Sequence, residues 1–234
     1  EVSFKHNPLV FENLSFLIKN KYILLTLSVI VLSAIASYSL HFSFLTLSVP
    51  NFQSPIGLAK FLSVFVGTST VFIFIVDRYI LNRILNNLGM PYSIVLSPLI
   101  IGLFILVASI IGSIGTTSSS VAGYASFFLL ITLGKLMSST FNETVEMPSL
   151  TIIQQLIPVR AQSIIKEINF GAAQGFTLFV SGLFLTGLLS IKVLTNVHIT
   201  YILIFIFAIW FYASVKLIQE YRHKLKLGVG ALSK

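Results

Sequence analysis

Three side chains that could bind a charged small molecule lie at helical spacing in one long, otherwise apolar segment. Lys135 and Asn142 are seven residues apart, and Glu146 follows four residues later. At about 100° per residue, Asn142 and Glu146 each lie within about 20° of Lys135, so the three share one face of a helix. An ammonium, an amide and a carboxylate in one line can bind a polar ligand through charge-assisted hydrogen bonds. Three serines extend this face: Ser138, Ser139 and Ser149.

Two structural interpretations of the same stripe remain open. Ionisable groups inside a membrane are costly, so they usually face a cavity or a partner. Lys135 and a carboxylate could form a neutral pair that only fixes helix packing. Alternatively, Glu146 and Glu143, which lies about 80° off the line, could sit near the membrane interface.

Two further residues are weaker candidates for the same site. His41 follows Ser37 by four residues on a second apolar segment and could carry a proton or meet an anion. A histidine that only hydrogen bonds inside a helical bundle is the commoner case. Lys60 opens a third segment, where its ammonium could bind an anion or extend to the membrane interface.

The elements that hold these residues follow from the composition. Only 9% of the 234 residues are charged, 56% are apolar, and the mean hydropathy is +0.96. Soluble domains carry about 25% charged residues, so this composition indicates a bilayer protein and excludes a cytosolic enzyme, a nucleic-acid binder and a disulfide-built secreted domain. There is no cysteine, no metal-ligand motif and no Gly-x-Ser-x-Gly nucleophile motif. We therefore expect no enzyme activity, no metal and no cofactor.

The long stretches without Lys, Arg, Asp or Glu predict an all-α, polytopic membrane protein with six transmembrane helices. The stretch 84–134 is long enough for two helices, and the Gly- and Ser-rich segment 112–123 is expected to be the loop between them. The predicted helices span 22–48, 58–84, 91–112, 122–156, 163–190 and 198–220.

The charge distribution predicts three segments of the chain and its orientation in the membrane. Residues 1–21 form a lead-in, either an amphipathic surface helix or a linker, 22–220 form the transmembrane domain, and 221–234 form a basic tail. All basic residues except Lys60, Lys135 and Lys192 fall on the face that carries both termini. Because basic loops stay on the cytoplasmic side, we expect both termini in the cytoplasm, with the chain in the plasma (inner) membrane.

Two connections resemble one family. The turn after the second predicted helix reads Asp77-Arg-Tyr-Ile-Leu-Asn-Arg83, and the fourth helix ends Pro148-Ser-Leu-Thr-Ile-Ile-Gln-Gln-Leu-Ile-Pro-Val-Arg160. Both resemble one six-helix half of a major facilitator superfamily transporter, where an Asp-Arg pair lies in a cytoplasmic gating loop. Asp77 and Arg78 match that pair, although the glycines of the family motif are absent. Within the superfamily, 148–187 is most similar to the C-terminal half of the ATP:ADP antiporter-like nucleotide transporters.

The resemblance implies a function. A second six-helix half would pack against this one, with the substrate at the membrane midplane between them. Lys135, with His41 and Lys60, would then attract an anionic small molecule such as a nucleotide. Glu146 would balance Lys135 in the empty site, and Asn142 would supply a hydrogen bond. The alternative is a transporter-like membrane domain that does not transport and instead anchors, or senses for, attached soluble domains.

Overall fold

The computed structural model describes residues 20–52, 54–81, 83, 89–118, 121–157, 178–183, 186–187 and 196–232. Within these ranges every regular element is helical, and five helices are long and apolar enough to cross a membrane. This confirms the all-α, multi-pass prediction. The fifth predicted helix, 163–190, lies largely outside the described residues. The five helices are α1 (Lys21–Asn51), α2 (Pro55–Ile75, followed by a π-helical turn Val76–Ile80), α3 (a 3₁₀ turn Met90–Val95, then Leu96–Ser118), α4 (Val121–Phe141, a π-helical turn Asn142–Glu146, then Met147–Gln155) and α5 (Asn196–Leu232).

The prediction that the whole of 112–123 forms a loop is wrong. α3 continues to Ser118 and α4 begins at Val121. Small polar residues favour loops in water. In an apolar setting, a hydroxyl can instead donate a hydrogen bond to a backbone carbonyl of its own helix. Ser113 does so, with its Oγ 2.8 Å from the carbonyl oxygen of Ile110. At the other end of the chain, α5 continues beyond residue 220 to Leu232, so most of the predicted tail is helical.

Local signals at the helix starts explain where the chain turns. The Asn20 side chain caps α1 by accepting a hydrogen bond from the Tyr22 N–H at 3.3 Å. Ser54 caps α2 through the Gly57 N–H at 3.1 Å, and Pro55 occupies the first turn, where no N–H is needed. Gly89 precedes α3 with a φ of 80°, a left-handed conformation that glycine adopts without steric cost.

The core lies among α1, α3, α4 and α5: α3 packs against α4 and α5, and α1 packs against the same two helices. Two glycines allow close approach: a Cβ on Gly102 would lie 3.5 Å from Phe207 of α5, and one on Gly134 would lie 3.4 Å from Ile105 of α3. Trp210 is 2% exposed in this core, and its ring lies 5.6 Å from that of Phe207.

α2 lies at the edge of the described bundle. It reaches the core through Phe61 and Phe65, whose rings lie 6.0 and 4.7 Å from Phe44 of α1. Several of its other large side chains are exposed, including Val64 at 68% and Phe74 at 66%. In a bilayer this apolar surface is compatible with lipid contact, because lipid tails do not penalise exposed hydrocarbon.

Contacts among helix ends establish that α1 and α3 run in one direction and α4 and α5 in the opposite direction. Lys21 at the start of α1 pairs with Glu220 near the end of α5. The Tyr22 hydroxyl donates to the Ile153 carbonyl at the end of α4, 2.6 Å away. The Arg222 guanidinium lies 4.4 Å above the ring of Tyr92 at the start of α3. The starts of α1 and α3 and the ends of α4 and α5 therefore lie on one face.

Candidate functional site

α4 presents the predicted polar stripe, but not as a regular α-helix. Asn142 to Glu146 form a π-helical turn, and Pro148 follows in the first turn of the next helical segment. The stripe keeps its orientation across this turn, since Glu146 is 2% exposed while Glu143 points out to the exposed surface. π-helical turns occur mostly as single turns inside α-helices and often at functional sites. The sequence pattern predicted the polar stripe but did not predict the π-helical turn.

The closed end of the site is the Glu146 carboxyl. Asn142 donates its side-chain N–H to Glu146 Oε2 across 3.4 Å, and the Ser33 hydroxyl of α1 hydrogen bonds to the same carboxyl. Sequence reasoning missed Ser33. Its position four residues before Ser37 on the face of His41 was the available signal, but only the packing of α1 on α4 makes it a partner of Glu146.

The open end of the site is formed by Lys135 and His41. α1 and α4 run antiparallel, so moving along α1 from Ser33 to His41 matches moving back along α4 from Glu146 to Lys135. His41 and Lys135 are close enough for their charges to interact. The His41 side chain is exposed and Lys135 is half-buried, so this end opens to the surface of the bundle. We name the five residues that connect the two ends the polar seam: Ser33, His41, Lys135, Asn142 and Glu146.

The expected balance between Lys135 and Glu146 does not form. Eleven residues separate them, which is about 16 Å along a helix and longer than their side chains can bridge. Within the described part of the chain, Lys21–Glu220 is the only ion pair, and the Lys135 ammonium has neither an ion pair nor a hydrogen bond. The seam therefore holds a cationic end and a carboxyl end that do not neutralise each other.

The remaining candidates lie outside the seam. Lys60 is exposed near the start of α2, on a different side from Phe61, which packs inward. Asp77 and Arg78 are exposed in the π-helical turn that ends α2, and neither has an ion-pair partner among the described residues.

The structure thus brings together four of the predicted site residues in two groups: His41 with Lys135, and Asn142 with Glu146. It leaves Lys60, Asp77 and Arg78 apart from them. Nor do three His, Cys, Asp or Glu side chains converge as metal ligands anywhere in the described ranges.

Five apolar helices, two of which carry the polar seam, define an integral, multi-pass membrane protein. No family model, curated protein or solved structure matches the chain. The function must therefore be inferred from the seam itself.

Proposed function

We propose that this chain is one half of a membrane transporter that moves a small anion by secondary active transport. The second half would be another six-helix bundle, and the two would rock around a substrate held between them. The topology signals of the sequence support a plasma (inner) membrane location with both chain ends cytoplasmic.

One observation supports the anionic substrate most directly: the Lys135 ammonium lies within electrostatic range of His41 and has no ion-pair partner among the described residues. A cation within a membrane-spanning helix is costly unless something compensates its charge. A second group that can become cationic adds to that cost. A phosphate or carboxylate placed between them would compensate both, and the opening at this end gives the anion access from the surface of the bundle.

The resemblance to ATP:ADP antiporter-like proteins makes nucleotides the first substrates to test. The remainder of the seam suits a ligand with further polar groups, since Asn142 is only half-buried on the same face as Lys135. Its amide can donate to one ligand atom and accept from another.

The experiment is uptake of labelled ATP and ADP by proteoliposomes that contain the full-length protein with unlabelled nucleotide trapped inside. Uptake that depends on the trapped nucleotide would establish exchange. A parallel thermal-stability screen against phosphate, carboxylates and nucleotides identifies another anion if nucleotides fail. A ligand at a hundredfold excess over its Kd stabilises the folded state by about 2.7 kcal/mol. Folded protein that is stabilised by no anion and transports none would contradict the proposal and favour the anchor or sensor alternative.

A further inference from the structure

The Glu146 carboxyl is buried within a membrane-spanning helix, and no cation of the described residues pairs with it. Its described partners are uncharged: the Asn142 amide at 3.4 Å and the Ser33 hydroxyl. With the side chain 2% exposed, water cannot solvate an ionised carboxylate. An unpaired buried charge costs several kcal/mol even after the protein relaxes, so a neutral carboxylic acid fits this environment better.

No titratable group on the described elements around Glu146 offers a compensating charge. On α4, Lys135 is about 16 Å away and Glu143 points outward. The 3₁₀ turn of α3 packs against the π-helical turn, and its one titratable side chain, Tyr92, is bound by Arg222. None of these groups, nor those of α1, forms a hydrogen bond or ion pair with the carboxyl. The titratable groups of α1 are Lys21, which pairs with Glu220, and Tyr22, Tyr38 and His41.

The backbone hydrogen-bond pattern changes next to Glu146. In the π-helical turn the Met147 N–H donates to the carbonyl of Asn142, five residues back instead of four. Proline has no N–H, so Pro148 cannot donate to the carbonyl of Thr144, which would be its partner in a regular α-helix. Because α4 departs from regular α-helical bonding at this turn, we expect any rearrangement of the helix to occur there.

We propose that Glu146 is the site of an exchangeable proton that crosses the membrane with the anion. One carboxylate oxygen binds H⁺ to form a carboxylic acid, and rearrangement of the π-helical turn releases the same H⁺ on the other side. The proton offsets one negative charge of an anion bound at Lys135, at the opposite end of the polar seam. The coupling rests on the proposed function, whereas proton binding at Glu146 does not.

The first test is infrared difference spectroscopy of the full-length protein in lipid nanodiscs, titrated with pH. A protonated carboxylic acid has a carbonyl band distinct from the bands of a carboxylate. We expect a band of a buried acid that titrates in wild-type protein and in Glu143→Gln but is absent from Glu146→Gln. Glu143 is a matched control because it is a carboxylate on the same turn, exposed at the surface.

A second variant tests the assignment even if Glu146→Gln does not fold. Ser33→Ala removes one hydrogen bond to the carboxyl and should shift the frequency of the wild-type band. A shift assigns the band to Glu146. Absence of any such band at every pH, or a carboxylate band that responds to Na⁺ instead, would overturn the proton site.

The second test separates the coupling from the transport function. Uptake of the anion by wild-type proteoliposomes should rise several-fold when the outside is acidified, and Glu146→Gln should transport without this response. An equal response in Glu146→Gln would contradict the coupling. If wild-type protein transports no anion at all, the proposed function fails, while the infrared titration still decides whether Glu146 exchanges a proton.

Discussion

Lys135 is the residue on which the proposed substrate class depends. It is half-buried on α4, interacts with His41 and has no ion pair among the described residues. A lysine that only fixed helix packing would be expected to pair with a carboxylate, and the two nearest acidic residues on its own helix do not reach it. This arrangement is the one expected of an ammonium group that binds an anion.

Replacing Lys135 with alanine should therefore weaken anion binding rather than folding. Hydrogen bonds to charged groups contribute about 1.5–3 kcal/mol, so we expect the Kd to rise by about 10- to 100-fold. Lys60→Ala is the matched control, since Lys60 is a lysine at an exposed position of α2 outside the seam. Calorimetric titration of both variants checks the difference. Equal affinity of wild type and Lys135→Ala would remove Lys135 from the site.

At the residue scale, sequence alone predicted one helix face and little beyond it. The spacing of Lys135, Asn142 and Glu146 fixed their common orientation because that depends only on helix periodicity. The contact of Ser33 with Glu146 could not be predicted in this way. It depends on the register of α1 against α4, which is set by side-chain packing between helices distant in sequence.

At the scale of elements, the close approach of α3 and α4 depends on Gly134. The position is buried, and a Cβ there would already be 3.4 Å from Ile105 and 3.7 Å from Phe104. Alanine would sit at van der Waals distance, whereas a longer side chain has no space between the helices. Membrane helices that lack a hydrophobic driving force for association rely on such close contact.

Gly134→Leu should lower the stability of the bundle. Overpacking costs about 1–3 kcal/mol, and roughly 2–4 °C of Tm accompanies each kcal/mol in a protein of this size. Gly67→Leu is the control, because no described atom lies within 4 Å of a Cβ on Gly67. Thermal unfolding of both variants in the same detergent provides the comparison. A Tm for Gly134→Leu equal to that of wild type would show that α3 and α4 can separate without cost.

Element boundaries were predictable where apolar runs end in charges or prolines and were wrong where small polar residues stand inside a membrane helix. α4 was expected at 122–156 and spans 121–155. The α3 end was placed too early because Gly, Ser and Thr indicate loops only where water can bond the backbone. The π-helical turn at 142–146 had only one sequence signal, the proline that follows it.

For the whole molecule, the contacts among helix ends place several basic side chains on one face. Lys21, Arg222 and Lys224 all belong to this face, with Lys224 lying 4.6 Å above the Tyr22 ring. Anionic lipid headgroups on the cytoplasmic leaflet attract such clusters. The distribution of basic residues therefore predicts a cytoplasmic location for this face.

Cysteine labelling can test that orientation directly, because the 234 residues contain no cysteine. Ile56, 70% exposed at the start of α2, and Lys226, exposed near the end of α5, mark opposite faces. In right-side-out vesicles, a membrane-impermeant maleimide should label Ile56→Cys and leave Lys226→Cys unlabelled until the membrane is opened. The reverse pattern would place the basic face outside the cytoplasm.

The single tryptophan of the chain provides an optical signal for all of these measurements. Trp210 is buried beside Phe207 on the helix that contacts both α1 and α3, and its indole N–H has no hydrogen-bond partner in the described structure. Its fluorescence in this chain therefore originates from one site in one dry environment. Any rearrangement that admits water to the core should shift that emission to longer wavelength, which would make the conformational cycle visible without a dye.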